Sequence, residues 1–85
     1  MIYELEIKSS ARKELAALPD QAKRRVDAAI LSLARSPRPR GAKRLSGPDN
    51  LWRVRVGNYR IIYHIQDDRL VVLVIRIAHR REVYR

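Results

Sequence analysis

The sequence has no cysteine, only two histidines (His64 and His79), and nine acidic residues against nineteen basic ones. Without cysteine there is neither a disulfide staple nor a thiolate metal site. A zinc site built on two histidines would need carboxylates from a chain that is short of them. The longest apolar run, Leu70 to Ile75, falls far below the ~20 residues that cross a bilayer. The first residues, Met1 to Lys8, alternate in polarity and include Glu4 and Glu6, unlike a signal peptide. These absences predict a soluble intracellular protein with no membrane partner and no zinc site; the expected location is cytoplasmic and no cofactor is expected.

What is abundant is arginine. The 85 residues carry a formal charge of +10, and arginine outnumbers lysine 15 to 4. Arginine presents a planar fork of donors that matches phosphate and stacks on bases, whereas lysine is a hydrated point charge. This bias points to a polyanionic partner. The charge is also concentrated. Between Arg35 and Arg60 stand Arg35, Arg38, Arg40, Lys43, Arg44, Arg53, Arg55 and Arg60 against Asp49 alone. At this length one domain is expected over 1–85, with a thin core that buries only about 60–65% of the unfolded surface.

Hydrophobic periodicity gives an element order. Residues 2–8 alternate as a half-buried strand with Tyr3, Leu5 and Ile7 inward. Ser9 or Ser10 is expected to cap a short helix with Ala11, Leu15 and Leu18 on one side. Pro19-Asp20 opens a second helix striped by Ala22, Val26, Ala29, Ile30 and Leu33. Lys23, Arg24, Arg25 and Asp27 fall mostly off that stripe and read as a solvated face. Ser36-Pro37-Arg38-Pro39-Arg40-Gly41 cannot continue a helix and reads as a stiff basic loop. Leu51–Val56 and Tyr59–Ile65 flank a two-residue turn at Gly57-Asn58. After a second turn at Asp67-Asp68, Leu70–Ile77 is apolar on both faces and belongs in the middle of a sheet. The expected fold is α+β, in the order β-α-α-β-β-β: a mostly antiparallel sheet with two N-terminal helices packed on one face. That order differs from the α-β-β-β-α of the double-stranded-RNA-binding module.

Hairpin geometry then sorts the side chains. With Gly57-Asn58 as the loop, Arg55 opposes Arg60 and Arg53 opposes Ile62, so Arg53, Arg55, Arg60 and His64 share one face. Trp52, Val54, Val56, Tyr59, Ile61 and Tyr63 share the other, which is the core beneath the helices. Two arginines directly opposed repel each other, a placement that a purely structural surface would avoid. The cationic face is expected to bind phosphate. The basic loop and the terminal segment Ala78-His79-Arg80-Arg81-Glu82-Val83-Tyr84-Arg85 would stand as walls around it. His79 is a candidate proton-transfer group and Tyr84 a candidate base-stacking ring.

The series Leu45-x-Gly47, Trp52-Arg53-Val54-Arg55-x-Gly57-x-Tyr59-Arg60-Ile61-Ile62-Tyr63, the Val71–Ile77 strand and His79-Arg80-x-x-Val83-Tyr84 resembles the RelE toxins of the RelE/ParE superfamily. The resemblance spans the whole chain. It implies a single RelE-like toxin domain, the toxin of a type II toxin–antitoxin pair. It further implies a ribosome-dependent endoribonuclease that cuts mRNA in the ribosomal A site without metal, by attack of a ribose 2′-hydroxyl on the adjacent phosphodiester. The residues matching the family's functional positions are Arg53, Arg55, Arg60, Arg80 and Tyr84. Arginine effectively does not deprotonate, so proton transfer would fall to His79 or Tyr84, or catalysis would rest on positioning and charge. Strict alternation puts His79 and Arg81 on the Arg60 face, so Arg80 can join Arg60 only through a bulge or the end of the strand.

Arg35, Arg38, Arg40, Lys43, Arg44 and Arg81 are expected to contact mRNA and small-subunit ribosomal RNA. The implied partner is a cognate antitoxin with an acidic or amphipathic segment, through which operator DNA is reached only indirectly. Two alternatives share the scaffold: a ParE-type inhibitor of DNA gyrase, and a catalytically inactive basic RNA-binding module.

Overall fold

The computed structural model describes residues 2–47 and 49–79. Its elements are β1 (Glu4–Ile7), α1 (Ser9–Ala16), α2 (Asp20–Leu33), β2 (Lys43–Arg44), β3 (Leu51–Val56), β4 (Tyr59–Gln66) and β5 (Val71–His79). The strands form one sheet in the order β1-β5-β4-β3-β2. Only β1 and β5 are parallel; the other pairs are antiparallel. This is the expected α+β arrangement, with one strand more than the sequence pattern gave. At two exposed residues, β2 is too short to alternate.

Neither helix begins with a side-chain cap. Lys8 and Pro19 hold the N-cap positions with extended dihedrals, and Ser9 and Ser10 lie inside α1, contrary to their expected role as caps. Packing does the stabilising instead. α1 buries Ala11 fully, and α2 buries Val26, Ile30 and Leu33, spaced four and three residues apart to form one stripe. The helices lie on one face of the sheet, against Ile61, Tyr63, Ile65, Val72, Val74 and Ile77. Proline suits the start of α2, where its missing N–H would have had no partner in the helix. Its carbonyl accepts the N–H of Lys23 at 2.8 Å.

The β3–β4 hairpin has the expected register, with Val56 opposite Tyr59, Arg55 opposite Arg60 and Arg53 opposite Ile62. Gly57 has φ +60° while Asn58 does not share the positive sign, the pattern of a type II′ turn with glycine in first place.

The β4–β5 connection is longer than the expected Asp67-Asp68 pair. It runs through Asp67–Leu70, and Leu70 adopts φ +54°. A branched side chain in the left-handed region costs about 1–2 kcal/mol. The turn is held by its neighbour strand, since the Glu4 N–H donates to the Leu70 carbonyl at 2.7 Å.

One irregularity decides the face on which the end of β5 presents its residues. Ile62 pairs with Arg76 but Tyr63 pairs with Val74, so Ile75 is an extra residue in the ladder. This β-bulge reverses the alternation downstream.

Candidate nucleic-acid interface

On the side of the sheet away from the helices, the register lines up two rows across the strands. One row reads Lys43, Arg53, Ile62, Arg76 and the next reads Arg55, Arg60, Ala78. Directly opposed residues in an antiparallel pair have Cβ atoms about 4.5–5.5 Å apart, so five cations share a small area. No Asp or Glu occurs anywhere in β2, β3, β4 or β5. Arg60 is the innermost of the five, at 2% exposure, and the Arg53 Nε is likewise shielded from water. Arg55 remains exposed. Arg76 leans to the sheet edge, its Nε 3.5 Å from a Glu14 carboxylate oxygen.

At the β2–β3 rim the face deepens into a concavity of about 260 Å³ lined by Arg40, Gly41, Lys43, Arg53, Val54 and Arg55. Arg40 therefore joins the floor from the loop, and Lys43 from β2. Such a set of fixed guanidinium and ammonium groups suits a chain of phosphates rather than a neutral ligand. Among the described residues, no three His, Asp or Glu side chains converge to hold a metal ion. No helix among them is long and apolar enough to cross a membrane.

Several expected site residues lie elsewhere. The bulge moves His79 off the Arg60 face: it pairs with Tyr59 on the helix side, its ring edge-on to Tyr59 with centroids 5.4 Å apart. There it lines a separate hollow with Glu14, Leu18, Pro19 and Ile77. Arg76 takes the place on the cationic face that alternation had given to its neighbours. Arg44 shares the helix-side face with Trp52, so it too departs from the cationic rows. His64 does lie on the predicted face, but at its far end, opposite Leu51 and Leu73, with Nδ1 3.3 Å from the Gln66 amide nitrogen. Arg35 is exposed just beyond α2. Arg80, Arg81 and Tyr84 lie outside the described residues.

Arg38 is the clearest departure. Its Nη1 and Nη2 donate to the two Asp67 carboxylate oxygens at 3.3 and 2.7 Å, and its guanidinium stacks over Trp52 at 5.1 Å. The Tyr3 hydroxyl donates to the same carboxylate at 2.6 Å. One residue earlier, the Pro37 carbonyl accepts the buried Tyr63 hydroxyl at 2.7 Å. The Arg38 and Tyr3 hydrogen bonds hold the Asp67 carboxyl below its usual range, and the same contact pushes the Tyr3 phenol up. Burial pushes the Tyr63 phenol up to about 12. Asp67 and Tyr3 escape a reading of the sequence because Asp67 reads as a turn residue and Tyr3 as core.

The family model described as the ParE toxin of the type II toxin–antitoxin system parDE matches residues 5–84. This chain belongs to the RelE/ParE superfamily of type II toxins. Toxin RelG of Mycobacterium tuberculosis is 30% identical over 90 residues, covering 100% of this chain and 99% of that protein. The fold matches RelE in the archaeal RelE–RelB complex from Pyrococcus horikoshii with TM-score 0.85 and 30% identity, over 94% of this chain and 97% of that one. The toxin–antitoxin complex RelBE2 of Mycobacterium tuberculosis matches with TM-score 0.82 and 28% identity, over 93% and 99% of the two chains. In this RelE/ParE toxin both cationic positions on β3 are arginine, whose planar fork of donors matches phosphate where lysine offers a point charge.

Proposed function

We propose that this toxin is a ribosome-dependent mRNA endonuclease acting without metal on mRNA in the A site. The observation that carries the reading is the opposed pair Arg55 and Arg60, with Arg60 at 2% exposure, beside the row Lys43, Arg53, Arg76. In the reaction, the ribose 2′-oxygen gives up its proton and attacks phosphorus, the bond from phosphorus to the 5′-oxygen breaks as that oxygen takes a proton from water, and a 2′,3′-cyclic phosphate and a 5′-hydroxyl result. Negative charge grows on the phosphoryl oxygens, and guanidinium groups already fixed on the sheet stabilise it without reorganising. Arg60 holds the scissile phosphate, with Arg80 as its expected companion and Tyr84 as the ring that stacks on a base. The 2′-hydroxyl proton cannot go to Arg53 or Arg55, and His79 faces the opposite side of the sheet. That leaves Tyr84 or water to take it.

The reading also supplies partners. The ribosome and its mRNA place the toxin in the cytoplasm, and a cognate antitoxin restrains it by covering the cationic rows with an acidic or amphipathic segment. RelE is found with RelB in the matched Pyrococcus complex, which supports such a partner here. Operator DNA is then contacted through the antitoxin. With programmed ribosomes, the purified toxin should give new mRNA 5′ ends at codon boundaries, and Arg60→Ala should slow cleavage by roughly 10² to 10³. Uncut mRNA overturns the proposal. The ParE description of the matching family favours one second reading, inhibition of DNA gyrase. Loss of supercoiling activity with intact mRNA would select it.

A further inference from the structure

The loop that carries Arg40 to the cationic floor is fixed at two successive residues, and neither fixing contact belongs to the floor itself. Pro37 is held through its carbonyl by Tyr63. Arg38 is held by Asp67, which lies 29 residues along the chain in the β4–β5 turn, and Asp67 is held in turn by Tyr3, 64 residues away. Trp52, over which the Arg38 guanidinium lies, is itself anchored: its Nε1 donates to Asn50 Oδ1 at 2.8 Å, and the Asn50 amide donates to the Ile65 carbonyl at 2.8 Å. Beyond Arg38 the chain has little freedom left. Pro39 restricts φ, its carbonyl accepts the Ala42 N–H at 3.0 Å, and Gly41 turns at φ +91°. The result is that Arg40 and Lys43 line one concavity with Arg53 and Arg55.

We infer that Tyr3, Asp67 and Arg38 are positioning residues for phosphate binding, a clamp that sets Arg40 over Arg53 and Arg55, and that Arg38 does not itself contact RNA. The inference rests on the nuclease reading and deepens it. It also inverts the expectation from charge alone. Asp67 is an acid in a basic protein, so deleting it would tighten RNA binding if the net field were what mattered. As part of a clamp, its deletion weakens binding.

The test measures the affinity of a short single-stranded RNA for the full chain across a salt series, for wild type, Asp67→Ala, Arg38→Ala, Arg40→Ala and the double variants. Asp67→Ala and Arg38→Ala should each weaken binding several-fold, and the two together no more than either alone. Each should flatten the slope of log K against log salt by about 0.7, the share of one phosphate contact, and Arg40→Ala should add little in either background. Amide exchange at Ala42 should quicken while Val72 and Val74 stay protected. Tyr3→Phe keeps the ring in the core and removes only the hydroxyl, so it reports on the clamp even if an alanine variant folds poorly, and it should weaken binding in the same direction. Asp67→Ala or Tyr3→Phe binding RNA as tightly as wild type, or more tightly, overturns the clamp. A wild type that binds no free RNA overturns the clamp's role in phosphate binding, whereas the nuclease reading falls only if programmed ribosomes leave mRNA uncut.

Discussion

Tyr63 combines complete burial with a hydroxyl that must be neutral to donate to the Pro37 carbonyl. Its phenol is pushed up to about 12 from an ordinary value of 10.0. The sign of the pH effect follows. Below about pH 10 the phenol is neutral in folded and unfolded chains alike. As pH rises toward 12 only the unfolded chain ionises freely, so stability falls by about 2–3 kcal/mol across that window. Denaturant melts at pH 9 and pH 11.5 should show the loss, and Tyr63→Phe should remove most of it. At neutral pH the same substitution strands the Pro37 carbonyl and should cost about 1–2 kcal/mol. Asp67 works in the opposite sense. Its carboxyl is held low by Arg38 and Tyr3, so its contribution is present above the usual carboxylate range and is lost as pH falls through the lowered value.

Among the elements, β5 shows why some of the site is legible in the sequence and some is not. The hairpin of β3 and β4 announces its own register, because a two-residue turn leaves no freedom over which residues oppose. Arg53, Arg55 and Arg60 therefore fall on one face by pattern alone. In β5, residues 71–75 read Val, Val, Leu, Val, Ile, apolar at every position. Nothing in such a run marks the extra residue, so its parity, and with it the faces of Arg76 and His79, is fixed only by pairing with β4. Arg38 misleads for a different reason, since its partner is distant in the chain and close only in the fold. Past Val74, β5 also outruns its parallel neighbour β1, leaving an open edge. Glu14 of α1 closes it, accepting the Ile77 N–H at 2.8 Å while facing Arg76. Glu14→Ala should speed amide exchange at Ile77 well above that at Val72, and should cost about 1–2 kcal/mol in a denaturant melt.

Taken as a whole molecule, the sheet carries a gradient of charge. Glu4 and Glu6 sit beside Val71 and Leu73 at one edge of the face away from the helices, and Lys43, Arg53 and Arg55 sit at the other. A polyanion is thus drawn to the β2–β3 side and repelled from the β1 side, which orients it before contact. If Arg40, Lys43, Arg53 and Arg55 each neutralise one phosphate, log K for single-stranded RNA should fall against log salt with a slope of about −2.8. A slope near zero would show that the basic surface serves something other than nucleic acid.

The position of β5 between β1 and β4 has a consequence for timing. It is the last of the described strands to be synthesised, yet it is the one on which both sides of the sheet depend. A nascent chain that has reached only Gln66 has no strand to join β1 to β4, and its cationic rows still lack Arg76 and Ala78. Pairing over such sequence distances is slow and must wait for the whole span. A ribosome making this protein therefore meets a finished phosphate-binding face only after Val71–His79 has left it.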